Sequence, residues 1–386
     1  MKVKVSISLK VLINISRIIV GVLFIFSGLI KANDPLGLSY KMLEFFEVWN
    51  FHWLDNYTLA FSILMIVFEI VAGIAVLLGW HMKLFGWLLL LLIVFFTFLT
   101  GYAFFSGKVR ECGCFGNCIP LTAGESFSKD LILGLLIVFL FLQRDRVKPF
   151  LPRAANLSIL VIGTVLSFSL QWFVLQYLPV VDCLPYKIGV NIEEQMKSPP
   201  GSRPDSVVTT FRYLRNGKMV EIINNNFPAD FDDSYKLVSR SDKLLRKGND
   251  TPPIKDFSLT TSAGNDTTRD LLQVKGYTVF MFVRQIDEPS PSWNKAFNLV
   301  YTFCKLKNIP VYFVTSSAET VQKYLQANRL SEGISLLTCD ATAVKTAARA
   351  NPTMYLVKKG TIIGKWGYAD FENAVGALGE LSAQQP

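Results

Sequence analysis

Histidine is almost missing: His52 and His81 are the only two in 386 residues. That excludes histidine-rich metal centres and most catalysis by an imidazole base. Charge is also scarce. Only 18% of residues are charged against 51% hydrophobic, where a soluble domain carries about 25% charged. The shortfall points to lipid and excludes disordered, collagen-like and coiled-coil chains. Six cysteines are too few for a disulfide scaffold in a chain this long. No glycine-rich phosphate loop follows a strand, so nucleotide binding is not expected. The net charge of +9 does not argue for nucleic acid either. Much of the basic excess brackets apolar runs, where it orients a membrane protein.

Apolar runs near the ~20 residues needed to cross a bilayer recur in the first half and then stop. They predict spans at 11–30, 57–78, 84–105, 127–143 and 155–180. The fourth is the weakest, its uninterrupted apolar part running only over 131–142. Lys2, Lys4 and Lys10, then Lys83, then Arg144, Arg146, Lys148 and Arg153 fall in alternate loops. Placing these inside a bacterial inner membrane puts 33–56, 106–126 and everything after 180 on the periplasmic side. The first span lacks a small-x-small cleavage site and is expected to be retained.

Beyond residue 180 the pattern becomes that of a soluble protein. Runs at 207–214 and 218–223 flank Arg215-Asn216-Gly217, a hairpin signal because a type I′ turn needs positive φ at both central positions. Strands are then expected at 254–259, 277–283, 310–315, 334–337, 354–357 and 361–366. Helices are expected at 292–306, 318–327, 341–349 and 370–381. This alternation predicts an α/β layer structure.

Three of the six cysteines, Cys112, Cys114 and Cys118, crowd the segment before the fourth span. Facing an oxidising compartment, they suit thiol–disulfide exchange, which needs a disulfide and an attacking thiolate. Gly113 and Gly116 let the sulfurs approach, and Lys108 and Arg110 favour a thiolate. A structural staple of the loop and a soft-metal site are the competing readings. The spacing does not separate a staple from a redox role, and with no histidine nearby no metal site is expected. Cys183 is either a resolving thiol near the membrane or incidental. Cys304 and Cys339 read as small core residues.

Arg17 and Glu69 interrupt apolar spans, and such charges are expensive in lipid. One reading pairs them across antiparallel helices. The other lets Arg17 snorkel to the inner interface while Glu69 bonds a polar neighbour. Either way Glu69 is a candidate contact for a proton or a quinone headgroup. Asp130 reads as a helix N-terminal charge.

Arg17 to Lys31, Glu69 with Gly73, and Cys112-Gly113-Cys114-Phe115-Gly116 together resemble the DoxX-like membrane proteins. The resemblance, over about residues 10–145, is to the redox-associated branch that includes the methylamine-utilisation (MauE) family. The whole chain also resembles two-domain proteins of the Bacteroidetes in which such a bundle carries a periplasmic tail. The resemblance implies a DoxX-like four-helix bundle (1–150), a fifth transmembrane helix (151–182), a periplasmic β-rich segment (183–250) and a tail (251–386). It also implies a role in disulfide formation or transfer.

The tail resembles thioredoxin-like domains of the peroxiredoxin/TlpA type, with Pro352 where that fold places its cis-proline. The departure lies at Glu288-Pro289-Ser290-Pro291-Ser292-Trp293. An active member has Cys-x-x-Cys after its central strand; this segment has Ser290 and Ser292 and no cysteine, so dithiol chemistry is excluded there.

Two functions follow. In one, a periplasmic thiol protein exchanges disulfides through Cys112, Cys114 or Cys118 and electrons pass to a quinone in the bundle. In the other, the chain is a non-enzymatic scaffold whose inactive tail binds an envelope protein. A transporter is disfavoured by the absence of a broken helix.

Overall fold

A computed structural model describes residues 2–107, 116, 118–203, 206–223, 226–228, 230–246, 248, 250–286, 291–330 and 332–383. The first half is a helical bundle. Its elements are α1 (Lys2–Asn33), α2 (Pro35–Trp49), α3 (Thr58–Leu78), α4 (Met82–Ser106), α5 (Ala123–Leu142) and α6 (Arg153–Tyr177). Stretches Leu9–Asn33, His52–Leu78, Met82–Ser106 and Arg153–Tyr177 are each long and apolar enough to cross a membrane. Apolar side chains such as Ile18, Leu91, Leu135 and Leu166 face outward all round, as lipid requires.

Small residues set how α1 meets α3. A Cβ on Gly21 would press on Leu77 and the Gly73 carbonyl, and one on Gly73 would meet Ile25 and the Gly21 carbonyl. The two backbones therefore approach closely, as in other small-residue membrane contacts.

The segment after the first span is helical where the sequence reading expected an outer loop. Asp34 caps α2 by accepting from the Gly37 amide, and Pro35 occupies its first turn. Both are favoured start signals. Leu36, Leu38 and Phe45 are buried against the bundle.

The predicted fourth span is α5, which starts four residues earlier at a capping box of Thr122 and Glu125. Glu125, Lys129 and Asp130 lie in its first turns, and α5 is not among the helices apolar enough to cross alone. It runs antiparallel beside α4: Gly86 faces Phe141, and Gly101 faces Phe127.

After α6 the chain makes α7 (Ile192–Gln195), then β1 (Ser206–Arg215), β2 (Lys218–Ile223) and β3 (Lys236–Arg246). These strands form a separate antiparallel sheet of order β2-β1-β3. The β1–β2 turn has φ of 49° at Asn216 and 74° at Gly217, the geometry its Asn-Gly predicted. Strand β3 was not foreseen, since Lys236, Arg240, Asp242, Lys243 and Arg246 blur its alternation.

The rest is α/β: β4 (Thr260–Thr261), α8 (Thr268–Leu272), β5 (Tyr277–Val283), α9 (Asn294–Leu306), β6 (Val311–Thr315), α10 (Ala318–Ala327), β7 (Ser335–Thr338), α11 (Ala341–Ala347), β8 (Thr353–Lys358), β9 (Thr361–Gly367) and α12 (Phe371–Ala383). The mixed sheet has order β4-β7-β6-β5-β8-β9. Strands β5, β6 and β7 pair in parallel, and the others pair antiparallel.

Both sheet faces are covered, so β5 is apolar throughout. Val279, Met281 and Val283 pack under α9, α10 and α12 with Phe297, Tyr324 and Phe371. Phe280 and Phe282 pack on the other face with α11, Phe257, Tyr186 and Ile192. Each such side chain contributes about 1.5–3 kcal/mol on burial. Tyr186 and Ile192 lie directly after α6, so the chain enters the tail core as soon as it leaves the bundle. The expected strand at 254–259 is irregular. Asp256, at φ 53°, breaks the extended run, although Ile254, Phe257 and Leu259 still reach the core.

Candidate functional site

The residues after α6 are held by three different parts of the molecule. Asn33, the last residue of α1, exchanges two hydrogen bonds with the Val181 backbone at 2.8 and 2.9 Å. Asp182 receives Lys365 Nζ of β9 at 2.8 Å. Cys183 is disulfide-bonded to Cys118, with Cα atoms 4.8 Å apart. Three consecutive residues thus tie the end of α1, the edge of the tail sheet and the loop before α5 to one point. Gly367 lets β9 come against α6, since a Cβ there would collide with the Gln176 and Tyr177 carbonyls.

Burial shapes the chemistry of this junction. It lowers the pKa of Lys365, and the neighbouring Asp182 carboxylate works against that shift. It also pushes the Tyr186 phenol well up, and Lys365 donates to the Tyr186 carbonyl.

Of the predicted cysteine site, Cys118 is at the junction, whereas Cys112 and Cys114 lie outside the described residues. The partner of Cys118 is Cys183, 65 residues away. The sequence reading put both cysteines on the outer side and left Cys183 as a resolving thiol or incidental; which outer segments meet is set by helix packing and not by spacing. Cys304 and Cys339 are buried. Burial pushes their thiols up to about 12 and about 11, so neither is a thiolate near neutral pH.

The tail sits on α2 through its own polar groups. Arg349 Nε lies 3.0 Å from Asp34 Oδ2, with side chains 5% and 12% exposed. Arg284 Nη1 donates to the Tyr40 hydroxyl at 3.0 Å. Between α2 and the tail runs a cleft of about 830 Å³ that includes Tyr40, Glu44, Cys183, Lys187, Lys345 and Arg349. Cys183, one half of the disulfide, therefore lies in the wall of an open groove that several charged side chains line.

Ser290 lies outside the described residues. Ser292 is exposed and precedes the buried Trp293 at the start of α9. Pro352 is buried and follows a cis peptide bond from Asn351. The Asn351 amide bridges the end of β5, accepting from the Arg284 amide at 2.9 Å and donating to the Gln285 carbonyl at 2.7 Å. These contacts place Pro352 beside the start of the loop that carries the serines.

Within the bundle the pairing of Arg17 with Glu69 is corrected. Glu69 Oε1 accepts from Lys31 Nζ at 2.6 Å, both side chains being nearly inaccessible. Lys31 lies fourteen residues beyond Arg17 on α1, about 21 Å at ~1.5 Å per residue. The α1–α3 register sets Gly28 beside Ile70 and Arg17 beside Gly79, so Arg17 is too deep on the other side. Its guanidinium instead lies over the Phe150 ring, 4.2 Å from the centroid, beside Gly79, and the residue is buried. Asp130 is not a surface helix-start charge. It is buried, 2.7 Å from Lys129 and 3.1 Å from Thr100 Oγ1.

A family model described as methylamine utilisation protein MauE matches residues 9–143, which takes in Lys31, Glu69, Asp130 and the cysteine loop. Protein TlpB of Flavobacterium psychrophilum is 28% identical over 162 residues, 41% of this chain. The match spans 43% of that protein's own length. Together with the apolar helices, the family match identifies a multi-pass membrane protein whose helices contact lipid.

Proposed function

We propose that this protein is an inner-membrane component of periplasmic thiol–disulfide chemistry. It exchanges disulfides through the Cys112, Cys114 and Cys118 loop. The observation that carries the reading is the Cys118–Cys183 bond, whose Cys183 lines an open cleft. An incoming thiolate would reach the bond from that cleft, and Cys112 and Cys114 lie within six residues of Cys118 in sequence. Attack on one sulfur forms a mixed disulfide and releases the other as a thiolate. A second thiol of the same partner then resolves it, leaving the partner oxidised and Cys118 and Cys183 reduced.

Topology supports the compartment. Lys83 pairs with Asp145 at 3.3 Å, so the basic loops gather at the bundle end opposite Asn33, Cys118 and the tail. The positive-inside rule then puts the basic end in the cytoplasm and the disulfide outside. We read residues 1–150 as the redox bundle, 151–182 as a tether, and 251–386 as a thioredoxin-like docking domain without the cysteine pair. The strand order and the cis bond before Pro352 support that last assignment.

A second reading has a specific observation in its favour. The Arg349–Asp34 and Arg284–Tyr40 contacts seat the tail on α2, which suits a scaffold that presents an envelope partner. The test is a trapping screen in cells with Cys112→Ser, Cys114→Ser and Cys118→Ser. A defined protein captured through a reducible bond by at least one variant supports exchange. No capture from any variant favours the scaffold.

A further inference from the structure

A second cleft lies in the membrane half. Helices α2, α3 and α4 enclose a cleft of about 520 Å³, with Phe45, Trp49, Met65, Phe95 and Phe96 among its walls. Its mouth faces the lipid: Phe61, Leu64 and Phe95 are 42%, 58% and 40% exposed. Its inner end is polar, formed by Lys31 and Thr100.

Lys31 and Phe96 also line a cavity of about 30 Å³ behind it, shared with Glu69, Lys129 and Asp130. The Lys31 ammonium lies 4.7 Å from the Phe96 ring centroid and carries three donors, one of them on Glu69 Oε1. Glu69 is 2% exposed, and its second oxygen has no hydrogen-bond partner among the described residues. Buried charges of this kind are expensive in a bilayer and mark functional sites. A lipid acyl chain filling the cleft offers no acceptor for Lys31 and no donor for Glu69. A flat ring bearing a carbonyl oxygen supplies the acceptor, its hydroquinone form supplies a donor, and aromatic walls suit both.

We infer that this cleft binds the ring headgroup of a lipid-soluble carbonyl compound of the quinone class. Its oxygen accepts from Lys31, and its tail leaves between α3 and α4 into the bilayer. The inference goes beyond the thiol-exchange reading and is tested without any thiol assay, so either can fail alone.

The experiment uses the full chain in phosphatidylcholine nanodiscs, with and without phosphatidylglycerol. A photoreactive azidobenzoquinone with a short isoprenoid tail is cross-linked, and the adducts are mapped by mass spectrometry. Adducts should concentrate on α2 and α4 residues of the cleft and fall at least ten-fold with excess decylubiquinone. Met65→Trp, which fills the cleft without touching the ion pair, should lower capture at least ten-fold. Lys31→Met/Glu69→Met should lower it at least five-fold. A single elution peak and an unchanged far-UV circular dichroism spectrum report folding of each variant. Adducts spread evenly over lipid-facing residues, competition by phosphatidylglycerol in place of the quinone, or capture unchanged in folded Lys31→Met/Glu69→Met would each overturn the inference.

Discussion

Cys118 and Cys183 are 65 residues apart in sequence and joined by a disulfide, and this bond ties the loop before α5 to the point where the chain enters the tail. In a soluble chain, closing a loop of that length stabilises by about 4 kcal/mol on the chain-entropy account. Here α5 and α6 already hold the two ends near each other in the membrane, so the gain is smaller. Cys183→Ser should leave the bundle folded and make 181–196 the first site of protease cleavage. Limited proteolysis of the variant and of reduced wild type checks this, with matching new fragments expected.

The seat of the tail on α2 gives a sharper test. Asp34 is both the cap of α2 and the partner of Arg349. Asn caps a helix about as well as Asp, so Asp34→Asn removes the charge and spares the cap. The buried Arg349 would then be uncompensated, at a cost of about 3–5 kcal/mol for a buried pair broken on one side. Asp34→Asn/Arg349→Met should recover most of that loss. Thermal unfolding of the tail in both variants measures it.

Lys365 predicts a pH dependence. Its folded pKa lies below the usual 10.5 because it is buried, so in the window just below 10.5 the unfolded chain binds more protons. Stability from this group therefore rises with pH across that window. In Lys365→Met this alkaline rise should be missing. Chemical denaturation of both proteins from pH 8 to 10 gives the comparison, and parallel curves would contradict the assignment.

The intramembrane charges should differ in weight. Lys31→Met leaves Glu69 buried and alone and should cost about 3–5 kcal/mol. Lys31→Met/Glu69→Met should restore most of it. Arg17→Met removes a buried ring contact, worth about 0.5–2 kcal/mol. Unfolding of detergent-solubilised protein should show Lys31→Met as the most costly of the three.

These residues also show what could be read in advance. Period and length were enough for the apolar helices and for most of the tail, where β5 and α10 fall on the expected 277–283 and 318–327. Partners were not legible. Arg17 and Glu69 are conspicuous as charges, but their depths depend on the α1–α3 register, which Gly21, Gly73 and Leu77 set by contact. Lys31 looked like an ordinary basic residue at the end of a span. Helix α2 was hidden because its apolar stripe is short and its Asp34-Pro35 start lies in what reads as a loop. The partner of Cys183 was hidden because topology puts Cys112, Cys114, Cys118 and Cys183 on one side without saying which two meet.

The most direct measurement is the redox state of each cysteine in living cells, by differential alkylation and mass spectrometry through a pulse of reductant and its removal. The account predicts that Cys112, Cys114, Cys118 and Cys183 change state and recover, while buried Cys304 and Cys339 stay reduced throughout. A Cys118–Cys183 bond that stays fully formed, beside Cys112 and Cys114 that never change, would contradict it.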